Sequence, residues 1–272
     1  MKKYVFFSFL FFYASVLFAQ SVSLLTWNIR DLGRTKDDAE IAAIVSVLRN
    51  HDLVAIQEVV AKDPAGAQAV AKIADLLNRT GTKWDYIISD PSVSPSPQMS
   101  ERYAFLWKTA KIKRLNDPFP DRLLEGKCVR PPYIGKFQIV KSGKTFFLVN
   151  VHARRFDQGP EEEIQYFSQY PERLKTASVI IAGDFNLDEK HRVWQALYDQ
   201  GFHSALSASP TTLKQTCTAE GHYLNYSIDN IYFPAALFRL VRAGREDFVK
   251  TCENLETARG ISDHLPVYVE VE

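Results

Sequence analysis

The sequence predicts an α/β protein built from two packed sheets that are flanked by helices. Apolar runs with the length of strands alternate with segments of helical period near both ends of the chain. In the middle, four strand-like runs follow one another without a helix between them, which indicates antiparallel pairing. Strands that come early and late, with helices between them, favour two stacked sheets. No repeat or domain boundary interrupts the pattern, so residues 21–272 are predicted to form a single domain.

The individual elements follow from the spacing of the apolar residues. The predicted strands lie at residues 23–29, 53–59, 84–89, 103–108, 133–140, 145–153, 178–183, 226–233 and 265–271. The first predicted helix presents an apolar face made of Ile41, Ile44, Val45 and Leu48. The second presents Val70, Ile73, Ala74 and Leu77, and it ends near Gly81, as helices often do. Two further helices are predicted at residues 160–176 and 189–200.

Residues 1–20 have the pattern of a secretory signal peptide. Two lysines come before an apolar run over residues 4–18, and the run ends in Ala19 and Gln20. A membrane span needs about 20 apolar residues, so this run is short for one, although an uncleaved anchor is the alternative. We therefore expect a secreted or periplasmic protein that does not contact a membrane once the signal is removed. Nothing in the sequence demands assembly, and a monomer is expected.

The charge and cysteine content of the chain limit the classes of function that are compatible with it. The chain has 33 basic and 32 acidic residues and no run of lysine or arginine, so it lacks the basic tail typical of many nucleic-acid binders. Composition alone neither requires nor excludes a phosphate-bearing substrate. Three cysteines allow at most one internal disulfide, and we favour Cys217 with Cys252 because both lie in the C-terminal third. The cysteine spacing does not suggest a zinc site.

Polar side chains stand at or beside the ends of many of the apolar strands. They are Asn28, Gln57, Glu58, Glu101, His152, Asp184, Asn186, Asp229, Asp263 and His264. Each has an ordinary explanation as a turn, a cap or a solvated charge. Gathered at one end of a sheet, however, the carboxylates would repel one another unless metal, protons or a substrate phosphate compensated them. Oxygen ligands without thiolates favour Mg²⁺, Mn²⁺ or Ca²⁺, and two histidines can move protons in both directions. This inventory indicates metal-assisted hydrolysis of a phosphate ester.

Seven short motifs occur in the order expected of the endonuclease/exonuclease/phosphatase superfamily, which the chain resembles. The motifs are TWNIR, AIQEV, SERYAFLW, NVHA, AGDFN, SIDNIYF and SDHLPV. Within the superfamily the chain is most similar to the deoxyribonuclease I family, over about residues 22–271. The resemblance implies a four-layer α/β/β/α sandwich with the active site at one end of the paired sheets.

The resemblance also implies which residues bind a metal and the substrate phosphate. Glu58 matches the principal metal ligand of the family, Asn28 lies beside it, and Asp263 completes the cluster. The expected cofactor is Mg²⁺ or Mn²⁺, with Ca²⁺ as a further candidate. Arg130 matches an arginine that contacts phosphate in the family, and an ordinary surface charge on a strand is the alternative. The pair that faces phosphate and metal in the family corresponds to Asp184 and Asn186.

The catalytic groups that the resemblance implies are two imidazoles, each with a carboxylate partner. His152 is matched with Glu101, and His264 is matched with Asp229. Together they imply single-step hydrolysis without a covalent enzyme intermediate, in which one pair takes a proton from water and the other protonates the departing oxygen. We favour His264 as the base and His152 as the acid, and the reverse assignment is the alternative. Cleavage of DNA in this way leaves a 5′-phosphate and a 3′-hydroxyl.

The chain departs from the deoxyribonuclease I family at three places. The loop of residues 91–100 carries no arginine and no aromatic side chain, and Met99 lies where the family has a stacking tyrosine. Asn50 lies where the family has an arginine that enters the groove of DNA, and no cysteine lies near Leu187 to form the usual disulfide. These departures weaken the case for duplex DNA and leave the hydrolytic residues in place.

We therefore expect a secreted, metal-dependent endonuclease that hydrolyses DNA, double-stranded and without sequence specificity. The first alternative is the same chemistry on another phosphate ester, such as a phosphoinositide, sphingomyelin or a nucleotide. The polar, proline-rich loop of residues 91–100 argues against a lipid, because lipid-directed relatives are expected to carry exposed apolar insertions. The second alternative is a non-catalytic binding module or toxin subunit, and the complete set of catalytic residues argues against it.

Overall fold

The apolar runs of the sequence form the strands of two mixed β-sheets in the computed structural model, which describes residues 21–272. The predicted signal peptide, residues 1–20, lies outside the described residues. The strands are β1 (Val22–Leu32), β2 (Leu53–Val60), β3 (Trp84–Ile88), β4 (Glu101–Lys108), β5 (Ile112–Arg114), β6 (Phe119–Pro120), β7 (Tyr133–Ile139), β8 (Thr145–His152), β9 (Val179–Asp184), β10 (Phe202–Ser204), β11 (Asp229–Pro234), β12 (Leu240–Arg245) and β13 (Val267–Val271). The helices are α1 (Asp38–Leu48), α2 (Ala65–Asn78), α3 (Glu161–Ile164), α4 (Tyr170–Arg173), α5 (Gln195–Tyr198) and α6 (Leu255–Ile261). None of these helices has the length and apolarity that crossing a membrane requires.

Each sheet contains one parallel pair of strands near its centre. The first sheet has the strand order β12-β13-β1-β2-β4-β3, and the second has the order β10-β11-β9-β8-β7-β5, with β6 paired to β7. The parallel pairs are β1 with β2 and β8 with β9. Since parallel neighbours end at the same edge of a sheet, the residues that follow these four strands are brought together in two pairs.

The central strands carry apolar side chains on both faces, which suits strands whose two faces are both buried. Leu24 and Phe105 pack in the core between the two sheets, together with Phe137 of the second sheet. Leu25 and Leu106, one residue further along, point to the opposite face and pack against α1 and α2. A third core lies between the second sheet and α3, α4 and α5. The predicted arrangement of two packed sheets between outer helices is confirmed.

The structure corrects the two helices predicted at residues 160–176 and 189–200. The first breaks into α3, a 3₁₀ turn over Phe167–Gln169, and α4. Pro171 has no N–H to donate, and several N–H groups in this segment donate to carbonyls three residues back, so no continuous α-helix forms. The second shortens to the 3₁₀ turn Arg192–Trp194 followed by α5.

The strand predictions also need correction at the edges of the sheets. The strand predicted at residues 226–233 begins only at Asp229. Four strands were not predicted, namely β5, β6, β10 and β12, which lie at or next to the sheet edges. The first three have only two or three residues, and all six residues of β12 are exposed or half-buried. Strands of this kind bury too few side chains to produce a clear apolar period.

The predicted disulfide is confirmed and closes a small separate core. Cys217 is bonded to Cys252, whereas Cys128 is free and buried. The bond ties the segment before β11 to the segment before α6, and these segments pack through Leu213, Val249, Leu255, Ala258 and Leu265. Because α6 leads directly into residues 262–264, this core holds the segment that carries His264.

A buried histidine beside the first sheet should make the free energy of unfolding depend on pH. His51 is 2% exposed, and its Nδ1 is hydrogen-bonded to Ser23 Oγ at 2.7 Å. Burial, helped by the positive charge of Lys108, lowers the pKa of His51 to about 4. In the unfolded chain the pKa of histidine is about 6.5. The unfolded state therefore binds this proton first as pH falls, so the contribution to stability is complete above about pH 6.5 and lost towards about pH 4.

We expect the wild-type protein to lose about 2 kcal/mol more of its free energy of unfolding than His51→Gln between about pH 7.5 and about pH 5. Urea unfolding at both pH values measures the difference. His203→Gln, a change at an exposed position, is the matched control and should keep the wild-type dependence. Equal losses in the wild type and His51→Gln would contradict the prediction.

Candidate active site

Three of the predicted catalytic residues lie side by side on neighbouring strands of the second sheet. His152 ends β8 and Asp184 ends β9, and the two residues are paired across these parallel strands. Asp229 begins β11 and is paired with Asp184 across the antiparallel strands. The strand register therefore places one imidazole and two carboxylates at the same edge of the sheet.

The first sheet contributes Asn28 and Glu58 at the same end of the sandwich. Asn28 is paired with Gln57 across β1 and β2, and Glu58 follows in a bulge where the pairing of β2 with both neighbours shifts. Glu58 has a positive φ of 61°, a conformation that is uncommon for residues with a side chain. Its Oε1 accepts a hydrogen bond from Asn28 Nδ2 at 3.0 Å. The bulge thus turns the Glu58 carboxylate towards Asn28.

A buried polar contact joins the two sheets just below these residues. Gln57 Nε2 of the first sheet donates to Asn150 Oδ1 of the second at 2.5 Å and to Thr26 Oγ1 at 2.9 Å. Asn150 Nδ2 donates in return to the carbonyl of Ile56 at 3.1 Å. Gln57 and Asn150 are completely buried, so leaving either partner unpaired would be costly. The contact fixes how the strand ends of one sheet face those of the other.

His152 is held by a carboxylate on one side of the site. Its Nδ1 lies 3.0 and 2.9 Å from the two oxygens of Glu101, and its backbone N–H donates to Tyr103 Oη at 3.2 Å. Arg130 Nε lies 3.0 Å from the same Glu101 carboxylate. Burial and the charge of Arg130 act to lower the pKa of His152, but Glu101 and Asp184 outweigh them and leave it above its ordinary value.

His264 is held in the same manner on the other side. Its Nδ1 lies 3.1 and 2.9 Å from the two oxygens of Asp229, and Thr211 Oγ1 donates to that carboxylate at 2.6 Å. The backbone N–H of His264 donates to Ser262 Oγ at 3.1 Å. Burial acts to lower the pKa of His264, but Asp229 and Asp184 outweigh it and raise the pKa to about 10.

The two imidazoles meet at one oxygen of Asp184. His152 Nε2 lies 3.5 Å and His264 Nε2 lies 3.8 Å from Asp184 Oδ2. Asn28 Nδ2 donates to the same oxygen at 3.0 Å. The other oxygen of Asp184 accepts the backbone N–H of Asn186 at 2.9 Å. Both rings therefore present their free nitrogen to one small space, which lies between the two sheets.

On either side of Asp184, the backbone of Gly183 and Asn186 adopts φ angles that few residue types tolerate. Gly183 has a φ of 150°, and a Cβ atom there would lie 1.9 Å from the carbonyl oxygen of Val151, so no side chain fits between β8 and β9. Asn186 has a positive φ of 51°, which asparagine tolerates better than most residues. Its Nδ2 donates to the carbonyl of Ala153 at 3.2 Å. This turn holds Asn186 beside the segment that follows His152.

The side chains around Glu58 fit a hard divalent cation. Asn28 Oδ1 is buried and has no hydrogen-bond partner among the described residues. It belongs to the same amide whose Nδ2 donates to both Glu58 and Asp184, so an oxygen without a partner lies next to the amide nitrogen that joins the two carboxylates. Carboxylate and amide oxygens are the ligands that Mg²⁺, Mn²⁺ and Ca²⁺ prefer. A second group, Asp184, Asp229 and His264, places one ligand-type atom of each residue within 4.8 Å of the others.

Asp263, which the resemblance places in the metal cluster, lies against arginines in the structure. Its Oδ2 is 3.6 Å from Arg30 and 3.7 Å from Arg259. Its negative charge also contributes to the raised pKa of His264. A carboxylate shared by two guanidinium groups is a weaker metal ligand than Glu58, so the role of Asp263 as a ligand stays a prediction.

Several residues that support the site were not among the predicted ones. They are Tyr103, Asn150, Thr211 and Ser262, each of which donates to or accepts from a predicted residue or its strand. Tyr103 and Ser262 lie inside the motifs ERY and SDH, so the motifs offered a signal that was not used. Thr211 lies in a loop of ordinary composition, and nothing in the sequence distinguishes it.

Known proteins resemble this chain in sequence pattern and in fold. The model of the endonuclease/exonuclease/phosphatase family matches residues 25–264. No curated protein matches the sequence. Among solved structures, the fold is similar to that of the human nocturnin catalytic domain with bound sulfate, at 17% identity and a TM-score of 0.64, over 93% of each chain. It is also similar to D. rerio TDP2 complexed with a single-strand DNA product, at 17% identity and a TM-score of 0.64, over 93% of this chain and 100% of that one.

A mannosyl-6-phosphatase from Bacteroides thetaiotaomicron has the same fold, at 16% identity and a TM-score of 0.60, over 92% of this chain and 99% of that one. At these identities the likeness shows the fold and does not single out the deoxyribonuclease I family or any one substrate. The family match covers most of the chain, and it includes every predicted site residue. The chain therefore belongs to the endonuclease/exonuclease/phosphatase family, a superfamily of metal-dependent phosphoesterases.

Proposed function

We propose that this protein is a secreted endonuclease that hydrolyses DNA to products with a 5′-phosphate and a 3′-hydroxyl. The observation that carries the proposal is the convergence of His152 Nε2 and His264 Nε2 on one oxygen of Asp184, at 3.5 and 3.8 Å. Hydrolysis of a phosphodiester needs one group to take a proton from water and another to give a proton to the departing oxygen. Two imidazoles that both lie within 4 Å of one carboxylate oxygen can supply both groups.

The carboxylate partners prepare each ring for its task. Asp229 accepts from Nδ1–H of His264 and so directs its Nε2 towards the site. Because Asp229 and Asp184 raise the pKa of His264 to about 10, this ring must first lose its Nε2 proton before it can take the proton of the attacking water. Glu101 accepts in the same way from His152, whose raised pKa keeps a proton available for the leaving oxygen. Arg130 lies beside this second pair, where its guanidinium can contact a phosphate oxygen. Neither ring forms a bond to phosphorus, so attack by water is direct.

The metal would be held by Glu58 together with Asn28 Oδ1 and the neighbouring Asp184. A bound divalent cation supplies positive charge that stabilises the negative charge developing on the phosphate oxygens. Asn28 Nδ2 donates to both carboxylates and so holds them on either side of one amide, and the bulge at Glu58 directs its side chain into the site. We propose Mg²⁺ or Mn²⁺ at this position, with Ca²⁺ as a further candidate.

Positive side chains around the site support a substrate with several phosphates. Lys62 and Arg130 line a cleft of about 340 Å³ beside Glu58. Arg30 lies on the side of His264, and exposed Arg155 lies beyond His152. A polymer whose phosphates extend on both sides of the bond to be cut would meet these charges in turn.

Export is supported by two features that are independent of the site. Residues 1–20 have the pattern of a signal peptide, and the bond between Cys217 and Cys252 is of the kind that persists in oxidising compartments.

We expect His152→Ala and His264→Ala to reduce cleavage of supercoiled plasmid DNA by about 10²- to 10⁴-fold, the usual contribution of a proton-transferring side chain. Conversion of supercoiled to nicked plasmid in the presence of Mg²⁺ measures the rate. His203→Ala, at an exposed position on β10, should cleave at the wild-type rate.

The same assay should include a panel of phosphate monoesters and lipid phosphoesters. Turnover of one of these by the wild type, without nicking of DNA, would replace DNA by another phosphate ester as the substrate. Unchanged nicking by either alanine variant would remove the corresponding imidazole from the mechanism.

We expect Glu58→Gln to weaken metal binding, because it removes the negative charge of the proposed principal ligand. Added Mg²⁺ or Mn²⁺ should raise the melting temperature of the wild type, by mass action, and raise that of Glu58→Gln much less at the same concentration. Glu256→Gln, an exposed change on α6, is the matched control. An equal increase for all three proteins would place the metal elsewhere.

A further inference from the structure

We propose that Phe156 and Tyr226 form a platform that stacks an unpaired nucleobase beside the phosphate being cut, so that the enzyme prefers single-stranded DNA. This inference rests on the proposed nuclease function and names the form of its substrate. The two rings lie 6.2 Å apart between centroids, with an angle of 26° between their planes. They are 64% and 56% exposed, although stacked aromatic rings of this size are usually buried.

The platform is attached to both halves of the catalytic site. Phe156 comes four residues after His152, which limits the distance between their Cα atoms to about 14 Å. The intervening carbonyl of Ala153 accepts from Asn186 Nδ2 at 3.2 Å and from Arg130 Nη1 at 3.4 Å. The chain that carries Phe156 is therefore held by side chains that border the phosphate site.

Tyr226 is attached to the other half through two threonines. Its carbonyl accepts the backbone N–H of Thr211 at 2.7 Å, and its own N–H donates to Thr212 Oγ1 at 2.9 Å. Thr211 Oγ1 in turn donates to Asp229, and Thr212 forms a β-bridge with His264. The stacked rings thus connect the segment after His152 with the segment that holds His264, and they lie at the rim between the two.

An unpaired base is the ligand that suits such a surface. Every base has an apolar π-face, and stacking on exposed aromatic side chains is the usual way in which proteins hold single-stranded nucleic acid without reading its sequence. In a duplex the faces of the bases are covered by their neighbours and become available only if a base is flipped out. The opposite rim offers no competing platform, because the loop of residues 91–100 contains no aromatic side chain.

The positive charge near the two rings favours a nucleotide ligand over a purely apolar one. Arg155 precedes Phe156 and has an exposed guanidinium, which is 3.1 Å from Asp157. A phosphate next to the stacked base would lie close to this guanidinium. An apolar ligand such as a lipid chain would gain nothing from the charge.

The test compares three substrates of one sequence: a labelled single-stranded oligonucleotide, the same strand annealed to its complement, and a single strand in which tetrahydrofuran residues replace the nucleosides around the cut. We expect the wild type to have a kcat/KM for the single strand about tenfold or more above that for the other two, as removal of one stacked base would cause. Phe156→Ala and Tyr226→Ala should lose about tenfold on the single strand and little on the abasic strand.

Two further variants separate a platform from a structural role. Phe156→Trp keeps an aromatic ring and should retain the preference for the single strand. Phe119→Ala removes an exposed ring from β6 and should behave as the wild type. Loss of the same factor on the abasic strand in Phe156→Ala and Tyr226→Ala would show that the rings only support the fold of the site and would overturn the proposal.

The outcomes also distinguish this proposal from the one it rests on. A wild-type enzyme that cuts all three substrates equally well would be a nuclease without a stacking platform. Failure of the wild type to cut any of the three, with turnover of a phosphate monoester in the same buffer, would overturn the nuclease function and the platform together.

Discussion

The site depends on one carboxylate oxygen that two imidazoles and an amide share. Asp184 Oδ2 accepts from Asn28 of the first sheet and faces two rings, that of His152 at the end of β8 in the second sheet and that of His264 in the loop between α6 and β13. Such an arrangement is kept only if the two sheets cannot shift relative to each other. The buried contact between Gln57 and Asn150 prevents sliding at this end, because any shift would leave amide groups unpaired between the sheets. The packing of the core thus sets the distance between the two proton-transferring groups.

Burying several carboxylates close together destabilises the fold, and the neighbouring imidazoles offset this cost. Glu101 and Asp229 each lie against an imidazole whose pKa is raised, so protons on the rings compensate charge that would otherwise destabilise the fold. Among residues 21–272, the Glu58 carboxylate accepts hydrogen bonds only from the Asn28 amide and the Asp31 N–H, and the Glu58 main chain adopts an uncommon positive φ. A residue that is strained and incompletely compensated contributes little to stability. It is better explained by a cation that completes its environment.

The fold and most of the site could be predicted because both depend on local pattern. Apolar runs gave the central strands, and polar residues at their ends gave the histidines and carboxylates that the structure brings together. Contacts between distant loops carry no such signal. Thr211 donates a hydrogen bond to Asp229, but no motif marks Thr211 in the sequence. Phe156 stacks on Tyr226, but the two residues are 70 positions apart and no motif connects them. Asp263 shows the converse. A motif identified it, but its pairing with Arg30 depends on the approach of β1 to the segment that contains both Arg259 and Asp263, which only the folded chain defines.

The proposed preference for a single strand rests on the rim of the site and not on its centre. Structures with the same fold include one with a single-strand DNA product and one of a mannosyl-6-phosphatase, so the shared architecture does not by itself select a phosphate ester. A choice among phosphate esters therefore has to come from the surface within a nucleotide's length of the imidazoles. Here one rim is a polar loop around Met99, and the other carries two exposed rings next to a guanidinium. A rigid duplex needs contacts on both sides of its groove, whereas a flexible strand can be held from one side by stacking and charge. The asymmetry of the rim therefore favours a strand that bends to the enzyme over a duplex that the enzyme must fit.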